Sequence, residues 1–96
     1  MSSKLKRTRG SGNVFGDLGF GPEEADNLLL RAQLMSRIRD VARGLAQREA
    51  ATMFNVSQPR LNDLLRGKID KFSLDALVNM LGHAGMRVEL RVKKAA

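Results

Sequence analysis

Apolar positions follow a helical period over most of the chain and change to strict alternation near its end. A long helix is predicted from Pro22, which suits the first helical turn, to about Arg43, with Gly44 ending it. Its apolar positions form two adjacent stripes, a wider buried face than one neighbouring helix requires. One stripe is Leu28, Ala32 and Met35 and continues to the charged Arg39, and beside it lie Leu34, Ile38, Val41 and Leu45.

A second, shorter helix is predicted from Gln47 to Phe54. Ala50, Ala51 and Phe54 have the spacing of an inward-facing stripe, and the small alanines allow a neighbouring helix to approach closely. Asn55 tolerates the left-handed conformation, so it is predicted to end this helix, and Val56 is predicted to fill the corner that follows. The chain therefore turns sharply at this point.

Ser57 is predicted to cap a third helix, with Pro59 in its first turn and Gly67 at its end. The predicted buried face is apolar throughout and consists of Leu61, Leu64 and Leu65. Two short amphipathic helices joined by so tight a turn are predicted to form a helix-turn-helix.

The opposite face of the third helix is polar or cationic, which suits a DNA groove better than a protein core. Gln58 suits adenine, and Arg60 suits guanine or a phosphate. We predict that Gln58, Arg60 and Asp63 set sequence preference. The predicted DNA-binding residues are Gln47, Ser57, Gln58, Pro59, Arg60, Asn62, Asp63, Arg66, Lys68 and Lys71, of which Gln47, Arg66, Lys68 and Lys71 mainly contact phosphates. The alternative is an ordinary solvated face.

After a loop at residues 68–72, Ser73 is predicted to cap a last helix that ends near Ala84, before Gly85. Residues 86–93 alternate between apolar and charged, which predicts a strand with one wet face. Such a strand needs a partner, either residues 13–15 or the same strand of another subunit. The apolar residues predicted to form the dimer interface are Met86, Val88, Leu90 and Val92.

Three motifs, read together, resemble the phage-repressor-like (XRE) helix-turn-helix domains. They are Gln47-x-Glu49-Ala50-Ala51, Val56-Ser57-Gln58-x-x-Leu61 and Leu64-x-Arg66-Gly67-Lys68. Flanking patterns are similar to those of HigA-type antitoxins and small XRE regulators. The flanks are Val14-Phe15-x-Asp17-Leu18-Gly19, Phe72-Ser73-Leu74-Asp75-x-Leu77 and Arg87-Val88-Glu89-Leu90. The resemblance implies a lambda-repressor-like domain that binds an operator, and in the narrower case a toxin partner.

The 96 residues, 43% of them hydrophobic, allow one small domain, and the net charge of +7 suggests an anionic partner. The charge is uneven along the chain. Residues 1–12 carry four cations and no acid, and residues 13–30 carry four acids and no cation. Residues 31–85 carry nine cations against five acids, and residues 86–96 carry four against one. A basic domain thus follows an acidic segment.

The two N-terminal segments allow different interpretations. Residues 1–12 are predicted to be disordered, either as a basic arm that follows phosphates or as a solubilising tail. Residues 13–21 place four apolar side chains among three glycines, so they should pack on something. The candidates are the protein's own core and a partner, and the neighbouring acids would suit a basic partner.

With no Cys and a single His, the sequence offers no disulfide framework or metal-ligand cluster, and we expect no cofactor, metal or catalytic residue. No apolar run could span a membrane and no signal peptide is evident, so we expect a cytoplasmic protein.

The sequence thus predicts an all-α, lambda-repressor-like domain of four or five helices with a C-terminal β-strand used for pairing. Its predicted parts are a basic tail at 1–12, a partner segment at 13–30, a helix-turn-helix domain at 31–85 and a dimerisation strand and tail at 86–96. The predicted function is a homodimeric, sequence-specific repressor of a palindromic operator. We interpret it as a type II antitoxin that neutralises a small basic toxin and regulates its own operon. The alternatives are a stand-alone XRE regulator and a protein-interaction module with a vestigial helix-turn-helix.

Overall fold

A computed structural model describes Gly19 and residues 21–94, and the helices in this part of the chain begin and end close to the predicted positions. The four α-helices are α1 (Pro22–Ala42), α2 (Gln47–Phe54), α3 (Gln58–Leu65) and α4 (Leu74–His83), with a single 3₁₀ turn (Ile69–Lys71) between the last two. The predictions for the basic tail and for residues 13–18 and 20 lie outside the described residues.

The long helix α1 supports two of the three shorter helices. Pro22 lies in its first turn with Glu23 and Glu24, where acids interact favourably with the positive end of the helix dipole. Along its length α1 packs against α4, α3 and the 3₁₀ turn. Ala25 and Leu28 in its first half are buried although they do not belong to the main core cluster.

One apolar cluster lies between α1 and the other helices. Its largest side chains are completely buried and come from every α-helix and from the segment after the 3₁₀ turn. They are Phe54, Phe72, Ile38, Leu61, Leu64 and Leu77. The predicted alanine stripe of α2 is buried as well, with Ala50 fully inaccessible. The core is therefore mostly aliphatic, as the composition indicates.

The structure confirms the helix ends that the sequence predicts for α3 and α4. The two ends have the same geometry. After α3, Gly67 adopts φ +78°, its N–H donates to Leu64 O at 2.9 Å, and Lys68 N–H donates to Asp63 O at 3.1 Å. This is the Schellman pattern, which satisfies the last carbonyls of a helix. Gly85 repeats it after α4 with φ +84°.

The predicted C-terminal strand is absent from the described part of the chain, where residues 86–94 have no regular secondary structure. Met86 N–H donates a hydrogen bond to Leu81 O at 2.9 Å, which completes the C-terminal end of α4. Beyond it, no backbone hydrogen bond joins residues 87–94 to another described residue. The physical reason is that a strand needs a neighbouring strand to satisfy its backbone groups, and none of the described residues supplies one.

Because Gly67 adopts a left-handed conformation, a side chain at this position should lower the stability of the protein. Gly67→Ala should destabilise the protein by about 1–2 kcal/mol, because φ +78° is unfavourable for any residue with a Cβ. Gly44→Ala is the matched control. A methyl group at either position would meet no neighbouring atom within 4 Å, but Gly44 does not have positive φ. Thermal or urea unfolding of the two variants measures the difference, and equal stabilities would contradict this account of the α3 end.

Candidate nucleic-acid interface

The corner between α2 and α3 consists of only three residues, 55–57. Asn55 adopts φ 58° and ψ 47°, the left-handed conformation predicted for it. Its N–H donates to Thr52 O at 3.1 Å, and Val56 N–H donates to Ala51 O at 2.9 Å. Val56 is half-buried and packs against the core. The two helices are thus held close together by a sharp, hydrogen-bonded turn.

The first turn of α3 faces outward. Ser57 caps the helix as predicted, since its Oγ accepts a hydrogen bond from Arg60 N–H at 3.2 Å. Gln58 and Pro59 beside it are exposed, whereas Leu61 on the opposite face is completely buried. The amphipathic pattern of this helix therefore leaves a polar N-terminal turn on the protein surface.

The remaining predicted contact residues are less uniform in exposure. Gln47 is exposed at the first position of α2, and Arg66 is exposed just after α3. Asn62 and Asp63 are half-buried. The most accessible predicted groups therefore lie at the start of α2, at the two ends of α3 and, with Lys71, in the turn that follows.

A compact turn follows α3 and carries two lysines. Lys68 has φ −77° and ψ 75°, and Ile69 N–H donates to Gly67 O at 2.8 Å, which is an inverse γ-turn. The 3₁₀ turn then begins at once and ends at Lys71. We call residues 67–72 the lysine turn. Because these turns are hydrogen-bonded, the backbone after α3 has a defined conformation and is not an open loop.

Asp63 on α3 forms ion pairs with both lysines. Lys68 Nζ lies 3.3 Å from Asp63 Oδ1, and Lys71 Nζ lies 3.6 Å from Oδ2. The hydrogen bond from Lys68 lowers the pKa of Asp63, helped by the charges of both lysines and opposed by partial burial. The carboxylate is therefore ionised at neutral pH. The two lysine side chains stay 41% and 53% exposed, so this contact leaves them accessible from solvent.

Arg60 contacts the protein itself rather than pointing freely into solvent. Its guanidinium carbon lies 4.4 Å from the centroid of the Phe72 ring, the geometry of a cation–π contact. Its Nη1 donates to Lys71 O at 3.4 Å. The pattern of exposed positions in α3 predicts a free side chain for Arg60. Helical periodicity cannot predict the contact with Phe72, because that ring lies twelve residues later in the chain.

A comparison with protein families matches this arrangement. The profile of a family described as a helix-turn-helix domain matches residues 14–93, which is most of the chain. The chain belongs to this helix-turn-helix family. No curated protein was found to match it. In helix-turn-helix proteins the second helix of the motif enters the major groove, so DNA is the partner class of this protein. In this chain the second helix of the motif is α3.

Sequence reasoning missed Arg31, which joins α1 of the helix-turn-helix protein to the lysine turn. Its Nη1 donates to Ile69 O at 3.3 Å and to Phe72 O at 3.4 Å, and its Nε donates to Asn27 Oδ1 at 2.7 Å. The one available signal was an arginine at a half-buried position of an amphipathic helix. That signal cannot identify carbonyl partners about forty residues away.

The C-terminal residues of the helix-turn-helix protein divide into two groups. Met86 and Val88 are half-buried and pack against the core. Leu90 and Val92, which continue the same alternation, are 60% and 93% exposed. The predicted dimerisation residues therefore do not share one environment in a single chain.

Two further findings concern other classes of site. Among the described residues, no group of His, Asp and Glu side chains is arranged to hold a metal ion. In the same part of the chain, no helix is both long and apolar enough to cross a membrane.

Proposed function

We propose that the protein is a sequence-specific transcriptional repressor that binds a palindromic operator as a homodimer. The observation that carries the proposal is the juxtaposition of an exposed polar first turn on α3 with an anchored lysine turn directly after it. Base contacts come from the first part of a recognition helix, and backbone phosphates are met by cations at its end. Both groups of residues belong to one short segment of this chain.

Within this proposal the predicted contacts have separate roles. Gln58 has the best position for a base contact, because it is exposed at the start of α3. Gln47, Arg66, Lys68 and Lys71 are proposed to contact phosphates. Arg60 and Asp63 were expected to read bases, but both already have partners within the chain. We therefore propose that Arg60 and Asp63 hold the lysine turn in place and do not contact bases.

Two substitutions separate base reading from phosphate binding. Gln58→Ala should relax selectivity at one base pair, because a bidentate amide contact contributes about 1–3 kcal/mol of discrimination. Lys68→Ala should weaken binding to all sequences and reduce the slope of log affinity against log salt by about one. Selection of duplexes from a random library by each variant, followed by salt titrations, measures both effects. A changed base preference for Lys68→Ala, with none for Gln58→Ala, would reject this docking.

The homodimer is proposed to form through residues 86–93, paired antiparallel across a two-fold axis. Support comes from the exposed Leu90 and Val92 and from the backbone of residues 87–94, which forms no hydrogen bond with other described residues. Such pairing would convert this segment into the predicted strand. A symmetric dimer of this kind would place two recognition helices about 34 Å apart, one turn of DNA.

The exposed side chains favour one register of this pairing. Centring on Val88 would place Arg87 opposite Glu89, a good charge match, but it leaves Val92 without a partner strand. Centring on Leu90 pairs Leu90 with its own copy and Val92 with Val88. Burying a valine contributes about 1.5 kcal/mol or more.

The Leu90-centred register has one electrostatic cost. It sets Glu89 opposite Arg91 but also sets Arg87 opposite Lys93. A like-charged pair across two strands costs only about 0.2–1 kcal/mol, less than the burial of the valine contributes. We therefore propose the register centred on Leu90.

The variant Leu90→Glu tests this interface. It places two carboxylates opposite each other at the two-fold axis, while the helical core, which does not include Leu90, should stay folded. We expect a monomer with unchanged helical content and sharply weakened operator binding. Arg37→Gln, at an exposed position of α1, changes the net charge by the same amount and should remain a dimer. Analytical sedimentation distinguishes the two, and a Leu90→Glu dimer with full affinity would mean that the subunits meet elsewhere.

The antitoxin role is the narrower form of the proposal. It is supported by the resemblance of the flanking motifs and by the acidic segment at residues 13–30, which suits a small basic toxin. In this form the helix-turn-helix domain, residues 31–85, binds the operator and the segment before it binds the toxin. A stand-alone regulator would have the same DNA-binding surface and lack the second activity.

Deletion of residues 1–21 should separate the two activities. The shortened protein retains all four α-helices, so it should keep most of its operator binding. It should fail to neutralise a small basic toxin encoded beside it, because the apolar, glycine-rich stretch at residues 13–21 is gone together with its Asp17. Growth rescue on co-expression and an operator titration are the two measurements. Full rescue by the shortened protein would exclude residues 1–21 as the toxin-binding element.

A further inference from the structure

The lysine turn cannot depend on its own hydrogen bonds for a fixed shape. Within it, Lys71 N–H donates to Lys68 O at 3.0 Å and Phe72 N–H donates to Ile69 O at 3.2 Å. A single turn of 3₁₀ helix has poor hydrogen-bond geometry and is marginal in isolation. Because the direction of both lysine side chains follows from this backbone, support from outside the turn is needed to keep them in place.

Two arginines from other helices supply that support by binding carbonyl oxygens of the turn. Arg31 on α1 donates from one nitrogen, Nη1, to Ile69 O and Phe72 O. Arg60 on α3 donates to Lys71 O. Lys71 O and Phe72 O lie at the end of this short helical turn, where backbone acceptors lack helical partners and a cation is favourable, whereas Ile69 O at its start also accepts from Phe72 N–H. The turn is thus held on two sides.

Arg31 is oriented for this contact by a residue one helical turn before it. Asn27 Oδ1 accepts from Arg31 Nε at 2.7 Å, the shortest of the three hydrogen bonds that Arg31 makes. Arg31 as a whole is half-buried, and its hydrogen bonds to the turn are partly shielded from solvent. A planar guanidinium can donate in several fixed directions at once, which an ammonium on a flexible stem does not reproduce.

We propose that Arg31 is a positioning residue for DNA binding, which holds the lysine turn in shape and acts only through Lys68 and Lys71. The inference rests on the proposed function, in which those two lysines contact phosphates. Its distinguishing consequence is that a residue of α1, outside the helix-turn-helix motif, controls affinity for all DNA sequences without changing base preference.

The variant Arg31→Lys tests the proposal, since it keeps the charge and removes the planar donor. We expect affinity for a duplex of about 30 base pairs, roughly three helical turns, to fall about tenfold at low salt. Arg37→Lys is the matched control, because Arg37 lies on the same helix, is exposed and forms no hydrogen bond with the turn among the described residues. Its affinity should equal that of the wild type.

A double-mutant cycle separates positioning from direct contact. In a Lys68→Ala, Lys71→Ala background, Arg31→Lys should have no further effect beyond about twofold, because the groups through which it acts are gone. A full additional loss in that background would show that Arg31 meets the DNA itself and would overturn the proposal. Asn27→Ala leaves the guanidinium but removes the acceptor that orients it, so it should lower DNA affinity by less than Arg31→Lys does. In the Lys68→Ala, Lys71→Ala background it should likewise have no further effect.

Hydrogen exchange measured without DNA gives an independent readout. In Arg31→Lys the amides of Lys71 and Phe72 should exchange faster, whereas the amide of Leu77 in α4 should be unchanged. Unchanged exchange at the turn, together with unchanged DNA affinity, would overturn the positioning role. If the wild type and the lysine variants bound DNA equally poorly, the proposed function would fail instead. The exchange rates would still report whether Arg31 holds the turn.

Discussion

The complete burial of Phe72 is the contact on which the arrangement of this domain depends. The ring lies in the core with Leu61, Leu64 and Leu77, and it comes from the residue that directly follows the 3₁₀ turn. Truncating a buried phenylalanine to alanine typically costs about 3–5 kcal/mol, far more than a surface ion pair contributes. Anchoring this one ring therefore places the lysine turn beside α3, and the ring's outer side is where Arg60 packs.

The charges of the domain are less available to DNA than the net charge suggests. Arg31 and Arg60 are engaged with backbone carbonyls, and Asp63 lies between the two lysines of the turn. An acid in this position lowers the affinity for any polyanion, but it also keeps two flexible lysine side chains near one place. Because non-specific binding is mainly electrostatic, a moderated basic surface leaves more of the selectivity to base contacts.

Each end of the described structure has apolar residues that the helical core does not account for. Ala25 and Leu28 at the start of α1 are buried outside the core cluster, and Leu90 and Val92 are exposed beyond α4. The proposed dimer would cover the second pair. The exposed pair at the C-terminal end is therefore the better candidate for a contact with another chain, because Ala25 and Leu28 are already buried.

The sequence alone determined the helices, their ends and the class of fold. Ser57, Asn55 and Gly67 each have a local conformational preference that neighbouring residues do not alter, so the boundaries they predict agree with the structure. Likewise, the 3.6-residue period of leucine and alanine identified the buried faces of α2 and α3. The polar surface of α3 followed from the same periodicity.

Only the tertiary structure decided which polar residues on that surface have partners within the chain. Arg31 binds carbonyls about forty residues away, and Arg60 packs on a ring from beyond the next turn. Such contacts depend on how separate helices meet, so local patterns of residues cannot predict them. The alternation at residues 86–93 shows the same limit. It describes one face of a possible strand, but a strand exists only where another chain segment supplies its hydrogen bonds.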